Sequence, residues 1–533
     1  MRLLRSTAIV SSMTFLSRLT GFVRDVVFAR AFGASPAMDA FLVAFRIPNF
    51  LRRLFAEGSF SLAFVPVLAE YREKHDALAL KELIDRVTGS LAGVLLVITG
   101  FGMLAAPWVI AVFAPGFAWG EYQHRLASEL LRITFPYLFF ISLTALAGGI
   151  LNSFNRFALP AVTPVLLNLS MILAALGLAP RMDEPVEALA WGVLLAGVLQ
   201  FAVQVPALKR LGLLPRPRWG GTHPGVRKIL TLMLPTLFGS SVAQINLLFD
   251  TLVASLLISG SVTWLYYSDR LLEFPLGMFG VAIGTVILPH LSRQHAVTDP
   301  EGFSRGLDWG LRSCLLIGVP ASLGLGLAAQ PLFAALFQYG AFTAEDARMA
   351  ALSLTALAVG LPAFLLVKVL APAFYARQDT RTPVKAAVVS LLVNAALTVI
   401  FLAGLLWLTP LGAQARAEGG GLVEALARMP GAHAALGLAS ALAGWVNAGQ
   451  LWLRLRREGV FRAQPGWRAF GFRLALSGAV MTVAVLALLA AWPEWGGWTV
   501  WERIARLAVL VGGAAALFFA VLYGSGFRRR HLG

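Results

Sequence analysis

The chain has 533 residues, 58% of them hydrophobic and only 13% charged, with a mean hydropathy of +0.75. A soluble domain carries about twice that charged fraction, and apolar runs of the ~20 residues needed to cross a bilayer recur along the whole length, which predicts an all-α polytopic membrane protein. The net charge of +17 is dispersed over connecting segments, which argues against a nucleic-acid-binding domain, and the lone Cys314 excludes an internal disulfide or a thiolate zinc site.

In chain order, the apolar stretches predict spans near 7–32, 37–70, 87–113, 127–151, 160–179, 187–207, 229–258, 262–291, 308–336, 349–375, 385–408, 433–453, 470–492 and 505–526, fourteen in all. Arg2 and Arg5 precede a stretch too polar for a signal-peptide core, so the first span is expected to be retained. It carries Arg18, Arg24, Asp25 and Arg30. At 100° per residue, Ser11, Thr14, Arg18, Gly21 and Asp25 share one face, flanked by Ser17 and Arg24, with Leu16, Val23 and Val27 opposite. In the second span Asp39, Arg46, Arg53 and Glu57 form a stripe with Asn49 and Arg52 at its edge, and Pro48 and Gly58 predict a kink or break. In the eighth, Tyr266, Asp269, Arg270 and Glu273 fall at helical spacing, followed by Gly277, Gly280 and Gly284, which permit close packing. The tenth adds Lys368.

Alternate loops sort by charge. Lys and Arg crowd "EYREKHDALALKELIDR", "KRLGLLPRPRWGGTHPGVRK", "ARQDTRTPVK", "RLRREGVFRAQPGWR" and the terminal "RRR", and are sparse in "GASPA", "APGFAWGEYQ" and "APRMDEPVEA". The positive-inside rule then places both termini in the cytoplasm. No His/Cys/carboxylate metal spacing, nucleophile elbow or phosphate-binding loop appears in a fitting context, so an ATP-driven pump or a membrane hydrolase loses support.

The chain also repeats itself. Pro107 and Pro331, Phe113 and Phe337, and Gly116 and Gly340 are each 224 residues apart, while Pro160 and Pro383, like Pro66 and Pro289, are 223 apart. The unit holds six spans, so both copies share one orientation. This predicts two six-helix lobes related by a pseudo-twofold axis along the membrane normal, residues 1–215 and 225–457, with two additional helices in 468–533.

Charges inside a bilayer are costly enough to be functional by default. Three charged faces drawn from two lobes are most economically placed around one water-filled cavity. Its cations would be Arg18, Arg24, Arg46, Arg52, Arg53, Arg270 and Lys368, and its anions Asp25, Asp39, Glu57, Asp269 and Glu273. That surplus of positive charge, carried on planar guanidinium forks, suits a phosphate or diphosphate group. The bland alternative is that Arg–Asp pairs only lock helices together.

The segments "SSMTFLSRLTGFVRD", "DAFLVAFRIPNFLRRLFAEGSFSLAFVPVLAEY", "YYSDRLLEFPLG" and "VKVLAPAFYARQDTRTPVK" closely resemble the MurJ (MviN) family, the lipid II flippases of peptidoglycan synthesis, within the multidrug/oligosaccharidyl-lipid/polysaccharide exporter superfamily. The resemblance implies substrate-binding roles for Arg18, Arg24, Asp25, Asp39, Arg52, Arg53, Glu57, Arg270, Glu273 and Lys368. It implies a non-enzymatic transporter of the cytoplasmic membrane, with lipid II as its cargo, cell-wall synthases as possible partners, and a groove on the last two helices for the undecaprenyl tail. It further implies sodium or proton coupling, with Asp250, Asn394 and Thr398 as candidate sodium ligands. A flippase for another polyprenyl-diphosphate saccharide shares the phosphate chemistry. A cation-coupled drug exporter calls instead for an acidic, aromatic site, and a glycosyltransferase for a catalytic carboxylate or metal that the sequence does not offer.

Overall fold

A backbone in lipid must satisfy its hydrogen bonds within each segment, and the described residues of this chain do so with helices. A computed structural model describes residues 2–53, 60–418 and 421–528, and within these all side chains except those of 2–11, 61–62, 234–243 and 281. The helices are α1 Arg2–Phe32, α2 Pro36–Arg52, α3 Ser61–Lys74, α4 Ala77–Leu104, α5 Ala106–Phe113, α6 Tyr122–Thr134, α7 Tyr137–Ser153 and α8 Ala158–Leu173. They continue as α9 Glu187–Ala202, α10 Val205–Arg210, α11 Pro224–Ser255, α12 Ser261–Pro275, α13 Val281–Ala296, α14 Pro300–Leu327, α15 Ala329–Leu336 and α16 Ala344–Ala358. The last are α17 Leu361–Tyr375, α18 Arg381–Leu408, α19 Pro410–Glu418, α20 Leu422–Ala427, α21 His433–Arg457, α22 Trp467–Ala491 and α23 Val500–Gly524. No strand occurs among the described residues.

Every expected span falls on one helix or on consecutive helices. Among the described residues nine helices are long and apolar enough to cross a membrane, and a tenth span forms if α16 and α17, bent by 42°, count as one. Of the remaining expected spans, α1 and α2 carry intramembrane charges, α11 includes side chains outside the description, and the apolar run of α21 is interrupted by Asn447 and Gln450. Pro48 sits inside α2, which continues to Arg52, whereas Glu57 and Gly58 lie outside the described residues.

Local chemistry sets the helix ends. The Ser35 hydroxyl accepts from the Met38 amide ahead of Pro36, and the carboxylates of Asp76 and Asp299 accept from the amides of Ala79 and Gly302. Thr343 with Asp346 and Thr499 with Glu502 form reciprocal capping boxes. Pro107, near the start of α5, cannot extend the ladder of α4.

The sequence repeat reappears in the backbone. The break between α4 and α5 at Ala105 matches that between α14 and α15 at Ala328, 223 residues later. After α7 the amides of Arg156 and Asn155 donate to the carbonyls of Leu151 and Asn152, at 2.8 and 3.0 Å. After α17 those of Asp379 and Gln378 donate to Phe374 and Tyr375, at 3.0 and 2.9 Å. Both are Schellman caps at the same repeat position, and both put a non-glycine residue in the left-handed region, Asn155 at φ 58° and Gln378 at φ 61°. Two copies that keep the same strained turn share one scaffold.

The described chain divides into two compact units, residues 1–262 and 263–533. The helix α11, which opens the second repeat in sequence, packs within the first unit against α2, α3, α4 and α5. Gly116 makes this possible. A Cβ there would lie 1.9 Å from the Ser255 carbonyl oxygen, and its amide donates to the Ser255 hydroxyl at 3.2 Å. In the second unit α22 and α23 pair with each other and pack on α14 and α15. A buried clasp fastens the segment leading into α22. Asp308 on α14 pairs with Arg312 at 2.7 Å and accepts from the Gln464 amide and the Trp467 indole at 3.1 and 2.6 Å.

Candidate functional site

In the first unit, the charged face of α1 divides in two. Arg18 is exposed, as are Phe15, Leu16, Leu19 and Val23 around it. About two turns further, Arg24 and Asp25 are each 3% exposed and joined, with Arg24 Nη2 2.6 Å from Asp25 Oδ1. A third residue holds them. Asn168 of α8 accepts from Arg24 Nη1 at 3.0 Å, while its amide donates to the Ser17 carbonyl at 3.0 Å and to the Thr20 hydroxyl at 3.2 Å. Gly21 faces Asn168, with a Cβ there falling at ordinary contact distance, 3.4 Å, from the Asn168 amide nitrogen. The buried ion pair is thus hydrogen-bonded on several sides, the condition under which such a pair is tolerated away from water.

The stripe on α2 follows the same division. Asp39 is 2% exposed and accepts from the Gly260 amide at 2.6 Å, which fixes the turn after α11, where Gly260 takes φ 97°. Arg46 donates to the Thr251 hydroxyl of α11. Arg52 donates to Asn49 at 3.3 Å, and the exposed Arg53 reaches Gln244 of α11 at 3.4 Å. Arg46 and Arg53 therefore sit along α11, the first half-buried and the second exposed.

In the second unit, Arg270 on α12 donates to Glu273 at 3.1 Å and to the Tyr266 hydroxyl at 3.3 Å, and it stacks 5.3 Å over the Tyr266 ring. Its side chain stays 37% exposed and that of Glu273 56%. Below them Pro275 leads into a π-helical turn, Leu276–Gly280. Of the glycine stripe, Gly280 packs closely, since a Cβ there would meet Leu365 at 3.2 Å and the Lys368 stem at 3.3 Å, while one on Gly284 would meet the Lys368 carbonyl at an ordinary 3.5 Å. Lys368 itself is exposed.

The candidate sodium ligands occupy both units. Asp250 is half-buried on α11 of the first. Asn394 and Thr398 are fully buried one turn apart on α18 of the second. The Ser440 hydroxyl donates to Asn394 Oδ1 at 3.3 Å, and the Thr398 hydroxyl has no hydrogen-bond partner among the described residues.

An apolar groove of about 520 Å³ runs between α14, α22 and α23, with Phe279 at one edge. Gly324, Ala328, Ala514 and Ala515 hollow out its wall, and Met481 and Val485 form its floor. Its lining is hydrocarbon throughout, so it suits an aliphatic chain and offers nothing to a polar ligand.

Sequence reasoning overlooked Asn168, although a lone asparagine inside "VLLNLSMIL" was a readable sign of an interhelical bond. It also overlooked Asp308 and Arg312, four residues apart in an apolar helix. Outside the spans, Asp379 accepts from the amides of Arg381 and Thr382, both at 3.0 Å. Partial burial raises its carboxyl pKa, but these bonds outweigh that and hold it below the usual value.

Comparison with known proteins converges on one family. A family model described as "Lipid II flippase MurJ" matches residues 28–415. A Vibrio cholerae protein named "Probable lipid II flippase MurJ" is 45% identical over 100% of this chain and 98% of its own length. One from Burkholderia cenocepacia, "Lipid II flippase MurJ", is 42% identical over 99% and 98%. Among solved structures, "Lipid II flippase MurJ, inward closed conformation" aligns with a TM-score of 0.75 at 26% identity, covering 97% of this chain and all of that one. A multidrug MATE transporter of the MOP superfamily in an inward-facing conformation aligns at 0.64 with 15% identity over 83% and 95%, a likeness of fold alone.

Proposed function

The chain belongs to the MurJ family of lipid II flippases, and from that premise we propose that it carries lipid II across the cytoplasmic membrane by alternating access, with both termini in the cytoplasm. It is a multi-pass membrane transporter. The reading is supported above all by the gradation of charge on α1 and α2, where buried pairs sit beside exposed arginines.

Arg24, Asp25 and Asp39 are committed to partners and act as the frame. The exposed or part-exposed cations, Arg18, Arg52 and Arg53 in the first unit and Arg270 and Lys368 in the second, are assigned to diphosphate binding by family resemblance. Glu57 is assigned to the same set by family resemblance. A guanidinium fork binds two phosphate oxygens at once, and a diphosphate offers enough of them for several forks. Glu273 keeps Arg270 oriented until the anion displaces it. The undecaprenyl tail occupies the groove on α14, α22 and α23, which makes residues 468–533 a tail-binding appendage to two repeated lobes. No bond is made or broken, so the protein needs no catalytic group.

The membrane potential favours outward movement of an anion. Two negative charges crossing 100 mV gain about 4–5 kcal/mol. Resetting the empty, cationic carrier runs against the same field, and a co-transported sodium ion or proton offsets it. Oxygen ligands suit sodium, and within the second unit Asn394 and the unpartnered hydroxyl of Thr398 supply two; Asp250 in the first unit is a candidate by family resemblance.

Reconstitution in proteoliposomes, with translocation of a labelled lipid II headgroup followed under an imposed potential, tests this directly. Wild-type protein moves the headgroup outward faster at inside-negative potential, and Arg53→Ala with Arg270→Ala loses most of that rate while remaining inserted. Undiminished translocation by the double variant overturns the assignment of those cations.

A further inference from the structure

The connector between α10 and α11, residues 211–223, has no helix of its own, and the first unit holds it against the side of α4. Its main chain makes the attachment. The Arg218 amide donates to the Asp85 carbonyl at 3.0 Å, the Arg216 amide to the Asp85 carboxylate at 2.7 Å, and the Gly220 amide to the Ser90 hydroxyl at 2.9 Å. In return, Arg86 donates to the Trp219 carbonyl at 2.8 Å. Gly89 lets the strap lie flat, because a Cβ there would be 2.2 Å from the Arg218 carbonyl oxygen. Gly93, one turn on, receives the Trp219 ring, 3.1 Å from where its Cβ would stand.

With the backbone spent on α4, the side chains point away. Trp219 is 65% exposed, and Val97 and Phe101 continue the same face of α4 as exposed apolar residues. Between residues 205 and 228 stand Lys209, Arg210, Arg216, Arg218, Arg227 and Lys228, all exposed, and not one Asp or Glu. The acids that approach from neighbouring helices are engaged: Asp85 by Lys81, Glu82 by Arg86 at 3.2 Å, and Glu70 by Lys228. Arg216 and Arg218 thus lie just before an indole that rests on α4 at Gly93, and all three side chains are exposed. An amphipathic ring at the boundary and adjoining arginines match an anionic lipid surface in both its layers.

We propose that this strap is a binding surface for anionic phospholipid, in which Trp219 enters the acyl boundary while Arg216 and Arg218 hold the phosphodiester headgroup. The site is distinct from the lipid II cations and from the tail groove, and does not depend on either.

The full-length protein, delipidated in detergent, is titrated with phosphatidylglycerol or phosphatidylcholine, and bound lipid is counted by native mass spectrometry. Arg216→Ala/Arg218→Ala, both surface changes, lower phosphatidylglycerol retention about ten- to thirty-fold, at roughly five-fold per cation, and leave phosphatidylcholine unchanged. Arg216→Lys/Arg218→Lys retain most of the binding. Gly89→Val keeps every charge but lifts the strap, and lowers retention as well. Retention by the double alanine variant within two-fold of wild type overturns the proposal. So does an equal fall for phosphatidylcholine, or full displacement of phosphatidylglycerol by millimolar inorganic phosphate, which would mark a general anion site.

Discussion

Asn168 is the side chain on which the α1 site most depends without carrying charge itself. Asn168→Ala removes three hydrogen bonds: the acceptor of Arg24 Nη1 and the donors to the Ser17 carbonyl and the Thr20 hydroxyl. The bond to the guanidinium is charge-assisted and worth about 1.5–3 kcal/mol in a buried setting, while neutral interhelical bonds in membranes average about 0.6. The Thr20 hydroxyl also donates to the Leu16 carbonyl at 2.9 Å, and Arg24 keeps Asp25, so the loss is partial. A net weakening of about 2 kcal/mol between α1 and α8 is expected. Because Arg24 and Asp25 are 3% exposed, water cannot cheaply replace the lost acceptor.

The variant should insert and fold, melt several degrees lower in detergent, and translocate lipid II about ten-fold or more slowly. Asn168→Asp discriminates the cause. It keeps an acceptor for Arg24 but loses both amide donors, and so should recover part of the rate while the melting point stays low. Wild-type rate and stability in Asn168→Ala would show that Arg24 needs no such positioning.

Asp308→Ala strips the buried Arg312 of its carboxylate and frees the Gln464 amide and the Trp467 indole; breaking such a pair costs about 3–5 kcal/mol, and limited proteolysis should then cut within 458–467. Gly116→Val drives a side chain into the Ser255 carbonyl, and the expected loss of about 1–3 kcal/mol or more should appear as earlier thermal unfolding. Ala514→Trp together with Gly324→Leu fills the 520 Å³ groove, and should weaken binding of full-length lipid II while leaving a short-tailed analogue bound as before. Equal loss for both analogues would detach the groove from the tail.

The helical class and the boundaries of most spans were legible because hydrophobic length is a strong, local signal. So was the repeat, since prolines at offsets of 223 and 224 mark the same helix breaks in both copies. The charged faces of α1, α2 and α12 were readable from periodicity as well. What periodicity could not supply was the partner. That Arg24 takes Asp25 and Asn168, or that Asp39 holds the Gly260 amide 221 residues away, depends on packing between helices distant in sequence. Nor could it foresee that α11 would pack within the first unit, because that rests on a backbone approach at Gly116, and one glycine among 51 carries no flag.

The repeat and the charges tell different stories, and the difference bears on mechanism. The turns after α7 and α17 agree down to the positive φ of Asn155 and Gln378, so the two scaffolds have kept the same constraints. Their side chains have not. The first unit concentrates arginines on its first two helices, whereas α11, the counterpart of α1, presents Gln244, Asp250 and Thr251, two of which serve as acceptors for Arg53 and Arg46. A carrier with two chemically equal halves would hold an anion equally well on each. Here α2 of the first copy supplies guanidinium groups and α11 of the second supplies acceptors for two of them, so on the proposed reading a diphosphate bound by Arg53 would displace Gln244 from it. Without a ligand Arg46 and Arg53 are thus already hydrogen-bonded, so on the proposed reading an arriving anion exchanges existing bonds rather than meeting bare charge.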